Sequence, residues 1–383
     1  MQLNFAPRGE LQQRRWLSLR SSALALVCLV ATPALTLAAE DSAGSASIGP
    51  MTSRAIEFLA TAQTPDGAFS PQAGPAVTAL VTAGILKSGR TADDPLVARS
   101  LKYLQTFAHE DGGIYKPDST HKNYETCIAM VCFAAANKDG RFDKLLADAD
   151  RFVKGLQWDE DEDQAVSDVN YGGAGYGSKK RPDLSNTSFL LDALRAAGNG
   201  PDDPAIQKAL IFVSRCQNLE SEHNTTEFAT KNPDGGFYYT VAAGGASMAG
   251  ETPEGGLRSY GSMTYSGLKS MIFAGLGPDD PRVKAAFDWC SKHYDLATNP
   301  GMGEAGLYYY YHTFAKALDA LGAEKIKDSS GQEHDWRAEL VAELARKQQD
   351  NGSWVNTSDR WMEGDPNLVT GYVLLTLSYC RGQ

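Results

Sequence analysis

Gln348-Gln349-Asp350-Asn351-Gly352-Ser353-Trp354 places a glutamine at the end of one helical stretch, a glycine turn after it, and then an aromatic side chain. Gln63-Thr64-Pro65-Asp66-Gly67-Ala68-Phe69 repeats the phrase at the same spacing, with Phe in place of Trp. Looser copies pair Gln105 with Asp111-Gly112-Gly113-Ile114-Tyr115, Gln157 with Tyr171-Gly172-Gly173-Ala174-Gly175-Tyr176, and Gln217 with Asp234-Gly235-Gly236-Phe237-Tyr238. A sixth copy, fifth in chain order, is eroded to Asn299-Pro300-Gly301-Met302-Gly303 and Gly306-Leu307-Tyr308. Self-similarity on this scale is the mark of a repeat architecture, in which each unit buries its apolar face against its neighbours.

A second phrase recurs independently. Thr91-Ala92-Asp93-Asp94-Pro95, Gly200-Pro201-Asp202-Asp203-Pro204 and Gly277-Pro278-Asp279-Asp280-Pro281 each precede an amphipathic segment. Aspartate caps the free N–H groups of a helix start, and proline suits the first turn because its missing donor costs nothing there. Between the phrases lie helices richer in Ala, Leu, Val and Met, predicted over 76–86, 123–136, 187–197, 262–274, 307–321 and 368–379. A half-polar helix followed by an apolar one reads as a hairpin whose second member is buried on most sides. An open stack of such hairpins needs a polar cap on its last repeat. The final helix here is apolar, from Val369 to Leu377, so the six hairpins are predicted to close into an all-α ring, inner helices lining the axis.

Composition is that of an ordinary globular chain, 42% apolar and 22% charged. The net charge of −11 argues against nucleic acid or an anionic membrane as partner, since phosphate recognition needs a basic surface. Residues 1–39 read separately. Arg14, Arg15 and Arg20 precede an apolar run, Ala23 to Leu37, ending in the small-residue site Thr36-Leu37-Ala38. That is a secretory signal cleaved after Ala38, so the mature chain is expected to be periplasmic or extracellular, with no transmembrane anchor. The Arg14-Arg15 pair is also compatible with twin-arginine export. Residues 40–50 read as a short linker and 51–383 as the repeat domain. The five mature cysteines, Cys127, Cys132, Cys216, Cys290 and Cys380, are scattered through apolar contexts and read as core thiols rather than a disulfide framework.

The Q-x-x-x-G-x-W spacing and the six hairpins resemble the α/α-toroid superfamily of squalene-type terpene cyclases and protein prenyltransferase β subunits, over about residues 50–381. In the cyclases, the resemblance implies, an aspartate in a P-D-x-D-D-T phrase opening an inner helix starts the reaction by protonation. The corresponding phrase here is Pro182-Asp183-Leu184-Ser185-Asn186-Thr187. Asp183 is retained, but Ser185 and Asn186 stand at the next two acidic positions. A hydroxyl and an amide cannot protonate an alkene. The structural reading is that one of Asp183, Ser185 or Asn186 caps the helix. The prenyltransferase branch holds zinc with Asp, Cys and His; no such set stands at ligand spacing here, and neither a metal nor another cofactor is expected. The Gly-Cys-Gly-Glu-Gln phrase of thioester-domain relatives is likewise absent.

Candidate site residues are polar and aromatic groups at the N-terminal ends of the inner helices. They are Asn123, Tyr124 and Glu125 on the second, Asn186 on the third, Ser262, Met263, Thr264 and Tyr265 on the fourth, and Asn367, Thr370 and Tyr372 on the sixth. The fifth opens Tyr308-Tyr309-Tyr310-Tyr311-His312, where helical periodicity allows either Tyr308 with His312 or Tyr309 with Thr313 to face inward. If all six inner helices run in one direction, these ends converge on one mouth of the ring, a concave aromatic site for a small apolar ligand. The alternative is that the tyrosines fill a wide core with their hydroxyls bonded locally. Glu125 and His312, with Asp183, are the candidate acid–base groups. The acidic run Asp159–Asp163 reads as a solvated loop, and Lys179-Lys180-Arg181 as an anion-facing or merely exposed turn. The Gly-rich stretch 242–256 reads as a lid over the mouth. The function classes left open are a ligand-binding or terpene-cyclase-like toroid, a non-catalytic glycan- or peptide-binding scaffold, and a polysaccharide lyase on the same ring.

Overall fold

The computed structural model describes residues 43–177 and 181–381. The signal-like segment 1–39, Lys179 and Lys180 lie outside the described residues.

The chain runs as six helical hairpins. In order they are α1 (Ala43–Ala62) with α2 (Pro75–Lys87), α3 (Pro95–Gln105) with α4 (Lys122–Ala136), and α5 (Asp143–Lys154) with α6 (Leu184–Ala196). Then come α7 (Pro204–Arg215) with α9 (Gly261–Phe273), the short α8 (Glu227–Lys231) lying between them, α10 (Pro281–Lys292) with α11 (Leu307–Leu321), and α12 (Trp336–Lys347) with α13 (Pro366–Cys380). The first member of each hairpin shows one apolar face, as in α3, which buries Leu96, Val97, Ser100, Leu101 and Leu104. The second member is buried almost all round, as in α2, where every residue from Pro75 to Leu86 is buried. Inner helices pack α2 on α4, α4 on α6, α6 on α9, α9 on α11, α11 on α13, and α13 back on α2, while α1 packs on α12 outside them. The fold is a closed all-α toroid.

The repeat phrase turns out to be a joint. Gln63 Nε2 donates to the Gly67 carbonyl at 3.3 Å and to the Leu96 carbonyl, in the first turn of the next outer helix, at 2.8 Å. Gln157 does the same to Gly172 and Ala205, and Gln217 to Gly235 and Arg282. Gln348 bonds Gly352 and, across the ring seam, Met51. The glycine is needed because the turn approaches that outer helix closely at positive φ. At Gly172, with φ +81°, a Cβ would stand 1.8 Å from the Lys208 carbonyl oxygen. Gln105 departs from the pattern, since it is exposed and the second turn is held instead by His109, whose N–H donates to the Gly113 carbonyl.

A further repeat mark lies on the inner helices. The hydroxyls of Thr78, Thr126, Thr187, Thr264 and Thr370 accept from the backbone N–H groups of Phe69, Ile114, Ala174, Phe237 and Trp354. Each threonine ties its turn to the inner helix, where an unpaired buried N–H would be costly. The aspartate–proline phrases cap as expected, Asp94, Asp203 and Asp280 each accepting from the second helical N–H at 2.9 Å. α1 begins at Ala43 and carries Pro50 within it, so it takes in part of the stretch read from the sequence as a linker. Cys127, Cys132, Cys216, Cys290 and Cys380 are all buried and unbridged.

Candidate functional site

The inner helices run in one direction, and their N-terminal ends, with the loops before them, enclose a cavity of about 350 Å³. All six contribute to its wall: Ala76 from α2, Tyr124 and Glu125 from α4, Ser185 and Phe189 from α6, Met263 from α9, Tyr309 from α11 and Tyr372 from α13. Loops add Tyr176, Tyr239, Met248 and Trp361. Rings form a continuous arc, Tyr176 to Tyr124 to Phe189 to Tyr309 to Tyr372, with successive centroids 6.2, 5.2, 6.1 and 6.0 Å apart. Those spacings are the offset and edge contacts that aromatic quadrupoles favour.

Tyr309 forms part of the cavity wall, its hydroxyl 3.1 Å from Ser185 Oγ and 3.3 Å from Ser266 Oγ. Burial lifts its phenol to about 12, so it stays a neutral donor. Two carboxylates reach the wall. Glu125 accepts from the Lys116 N–H at 2.7 Å and the Ser119 hydroxyl at 2.8 Å, holding the loop before α4. Glu363 accepts from the Tyr309 N–H at 2.8 Å and from Asn356 Nδ2 at 2.7 Å, capping α11 from a loop 54 residues away. Burial raises both carboxyls, against the lowering pull of those hydrogen bonds.

Asp183 is the N-cap of α6. Its Oδ1 accepts from the Asn186 N–H at 2.9 Å and its Oδ2 from Asn186 Nδ2 at 2.8 Å. Burial raises its carboxyl to about 6, and the Tyr239 hydroxyl bonds it from the cavity side. Asp183 and Asn186 therefore sit behind the wall, whereas Ser185, at a position where the cyclase phrase has an acid, faces the cavity.

The other sequence candidates divide. Tyr124, Glu125, Tyr309 and Tyr372 line the cavity together, with Ser262 and Met263. Asn123 is turned away, donating to the Gly175 carbonyl at 3.0 Å, and Thr264 is one of the turn-holding threonines. Tyr265 packs between Tyr310 and Phe314 in the outer core, and Tyr308 against Tyr311. Neither inward pairing on α11 holds as a pair at the cavity. Tyr309 reaches it, while His312 lies on the same stripe one turn deeper, against Tyr372 and Tyr379. His312 is 6% exposed and its Nδ1 has no hydrogen-bond partner. Burial, with Lys316 beside it, depresses its pKa to about 3, so it is a neutral core imidazole at physiological pH.

Further along α6, α9 and α11 lies a charged group that the sequence reading missed. Asp192 Oδ1 accepts from Lys269 Nζ at 2.6 Å, and Oδ2 pairs with Lys316 Nζ at 2.7 Å. Lys269 also donates to Ser188 Oγ at 2.6 Å. Burial brings Lys269 down to about 8, while the two lysines hold Asp192 below the ordinary carboxylate range. The signal was available, since each is a charge inside a largely apolar helical run. Glu363 gave none, because its capping target is remote in sequence.

The acidic run is tied to α7 through Asp159 and Glu160, which pair with Lys208 at 2.9 and 2.6 Å. Among the described residues no group of three His, Cys, Asp or Glu side chains is arranged to hold a metal. No described helix is long and apolar enough to cross a membrane. Arg181, the described part of the basic turn, is exposed and lies over the Tyr239 ring at 5.6 Å. The 242–256 stretch is closed into local turns by bridges Thr240–Ala246 and Glu251–Leu257, and its Met248 reaches the cavity.

No family model matches the chain, and no curated protein sequence matches it. Among solved structures, the chain is similar to a protein from Actinoplanes at TM-score 0.50 and 13% identity, covering 87% of this chain and 99% of that one. Weaker likenesses include the type II terpene cyclase MstE from Scytonema, at TM-score 0.33 and 13% identity over 87% of this chain and 98% of that one. A variant of MstE in complex with geranylgeranyl dihydroxybenzoate stands at TM-score 0.34 and 12% identity, covering 88% and 98%. At such identities the Actinoplanes likeness speaks for the fold alone, and the two MstE likenesses carry no argument.

Proposed function

We propose that this protein is an exported toroid that binds a small apolar molecule, isoprenoid- or lipid-like, in its central cavity. The observation that carries the reading is the make-up of the wall. Of 18 described lining residues, eight are aromatic and three are methionine, and none is lysine or arginine. Apolar and aromatic walls with a few placed polar groups are the ordinary form of a small-molecule site, and about 350 Å³ is at the small end of that range. A lyase acting on acidic sugars wants a basic side chain at the substrate, which this wall lacks among the described residues. Protonation of an alkene is also disfavoured, because the cavity-facing position in the relevant phrase is Ser185. Binding without that chemistry is the reading we favour.

Mass spectrometry of organic extracts from protein purified out of its native envelope tests this. A stoichiometric apolar compound, lost when Ala76→Phe fills the cavity, is the expected result. Empty extracts, together with no uptake of added prenols or fatty alcohols, would overturn it.

A further inference from the structure

The polarity of the cavity is one-sided. Its wall carries two carboxylates, Glu125 and Glu363, and the imidazole of His121, but no lysine or arginine among the described lining residues. Asp192, just as buried, is answered by two lysines at 2.6 and 2.7 Å. Glu125 and Glu363 are bonded to neutral donors instead: two backbone N–H groups, the Ser119 hydroxyl and the Asn356 amide. Asp183, 2% exposed, is likewise held by neutral donors, but it serves as the cap of α6 behind the wall. Neither glutamate makes an ion pair among the described residues; the exposed Lys116, which gives Glu125 its backbone N–H, lowers the Glu125 carboxyl through its charge but does not outweigh burial. Burying a carboxylate without a counter-charge is expensive.

The same wall carries the arc of five rings. Ring faces attract a cation through their quadrupoles, and the attraction grows as water is excluded. Two further wall rings already hold cations of the chain itself: Arg181 lies over Tyr239 at 5.6 Å, and Arg360 over Trp361 at 4.3 Å. A neutral hydrocarbon would use the rings as surface but would leave both carboxylates uncompensated. A cation with an apolar body would use both.

We propose that the ligand of this cavity carries a positive charge, as an alkylated amine or quaternary ammonium on an apolar body, with the aromatic arc as its cage and Glu125 and Glu363 as its counter-ions. The inference rests on the apolar-site reading above and adds charge to it. Burial raises both carboxyls, so a bound cation also favours their ionised forms, and its binding is linked to proton release.

The test is calorimetric titration of the purified protein with three probes sharing one ten-carbon tail, decyltrimethylammonium, 1-decanol and decanoate, below their micelle-forming concentrations. The ammonium is expected to bind at least tenfold more tightly than the alcohol, and decanoate most weakly. Glu125→Gln should cut the ammonium affinity several-fold and leave the alcohol unchanged, with circular dichroism and Tm confirming the fold. Equal or tighter binding of the alcohol would overturn the charge while leaving the apolar site standing. Tightest binding by decanoate would overturn it too. An ammonium preference that Glu125→Gln does not diminish would overturn the counter-ion assignment. If none of the three binds, both the charge and the apolar site fall.

Discussion

Gln348 Nε2 donates to the Met51 carbonyl at 3.0 Å, joining residues 297 apart in the chain. The same side chain holds the Gly352 carbonyl at 2.9 Å, so one amide closes the glycine turn and the ring together. Arg54 reinforces the seam by donating to the Gln349 carbonyl at 2.7 Å. The sixth repeat thus treats the first as its next neighbour, and no repeat needs a polar cap.

Gln348→Ala is expected to lower stability by about 1–3 kcal/mol, since two backbone carbonyls lose their donor. Chemical denaturation checks this. Opening of the seam predicts faster amide exchange in α1 and α13 than in α6.

Gly352→Ala should cost more than Gly89→Ala. Both glycines have positive φ, +90° and +101°, which strains an L-residue by about 1–2 kcal/mol. At Gly89 a Cβ meets nothing within 4 Å, whereas at Gly352 it would stand 2.4 Å from the Arg54 carbonyl oxygen. Thermal melts of the two variants should differ by several degrees. Equal Tm values would refute the close-approach account.

Asp192→Ala should destabilise by about 3–5 kcal/mol, because it leaves two lysines buried without their partner. Lys269→Met removes one charge of three and keeps the Asp192–Lys316 pair, so its cost should be less than half of that. Urea titration of both variants decides, and a larger loss for Lys269→Met would contradict the assignment.

His312 and Asp183 predict opposite pH responses. The folded His312 titrates near 3 and the unfolded one near 6.5, so the unfolded state binds more protons between those values. Stability is therefore lost as pH falls through 6.5, by up to about 2 kcal/mol at pH 5. His312→Gln should flatten that slope. The folded Asp183 titrates near 6 against 3.8 when unfolded, so its contribution is fully present below 3.8 and is lost as pH rises through 6. Asp183→Asn should steepen the acid-side loss, as measured by denaturation between pH 4 and pH 7.

Ala76→Phe tests the cavity from its wall. Ala76 is 4% exposed and lines the space, so a phenyl ring there competes with any ligand for the same volume. Binding of a decyl probe should fall at least tenfold while the helical circular dichroism signal stays unchanged.

The six hairpins were legible because their signals are local. A glycine that must adopt positive φ, an aspartate that must cap a helix and a run of apolar residues that must leave water declare themselves within about ten residues. The inner helix starting at Leu307 was expected and found at that residue. Glu125, Tyr124, Tyr309 and Tyr372 were also legible, since helix-end position places them near the axis. Tertiary structure decided the rest. Which face of α11 looks inward depends on packing against α9 and α13, and that rotation brought Tyr309 to the cavity and left Tyr308 outside it. Glu363 reached α11 from a remote loop, which no local pattern encodes. Asp192, Lys269 and Lys316 come from three helices whose mutual register is fixed by ring closure, and only that register lets buried charges of opposite sign meet.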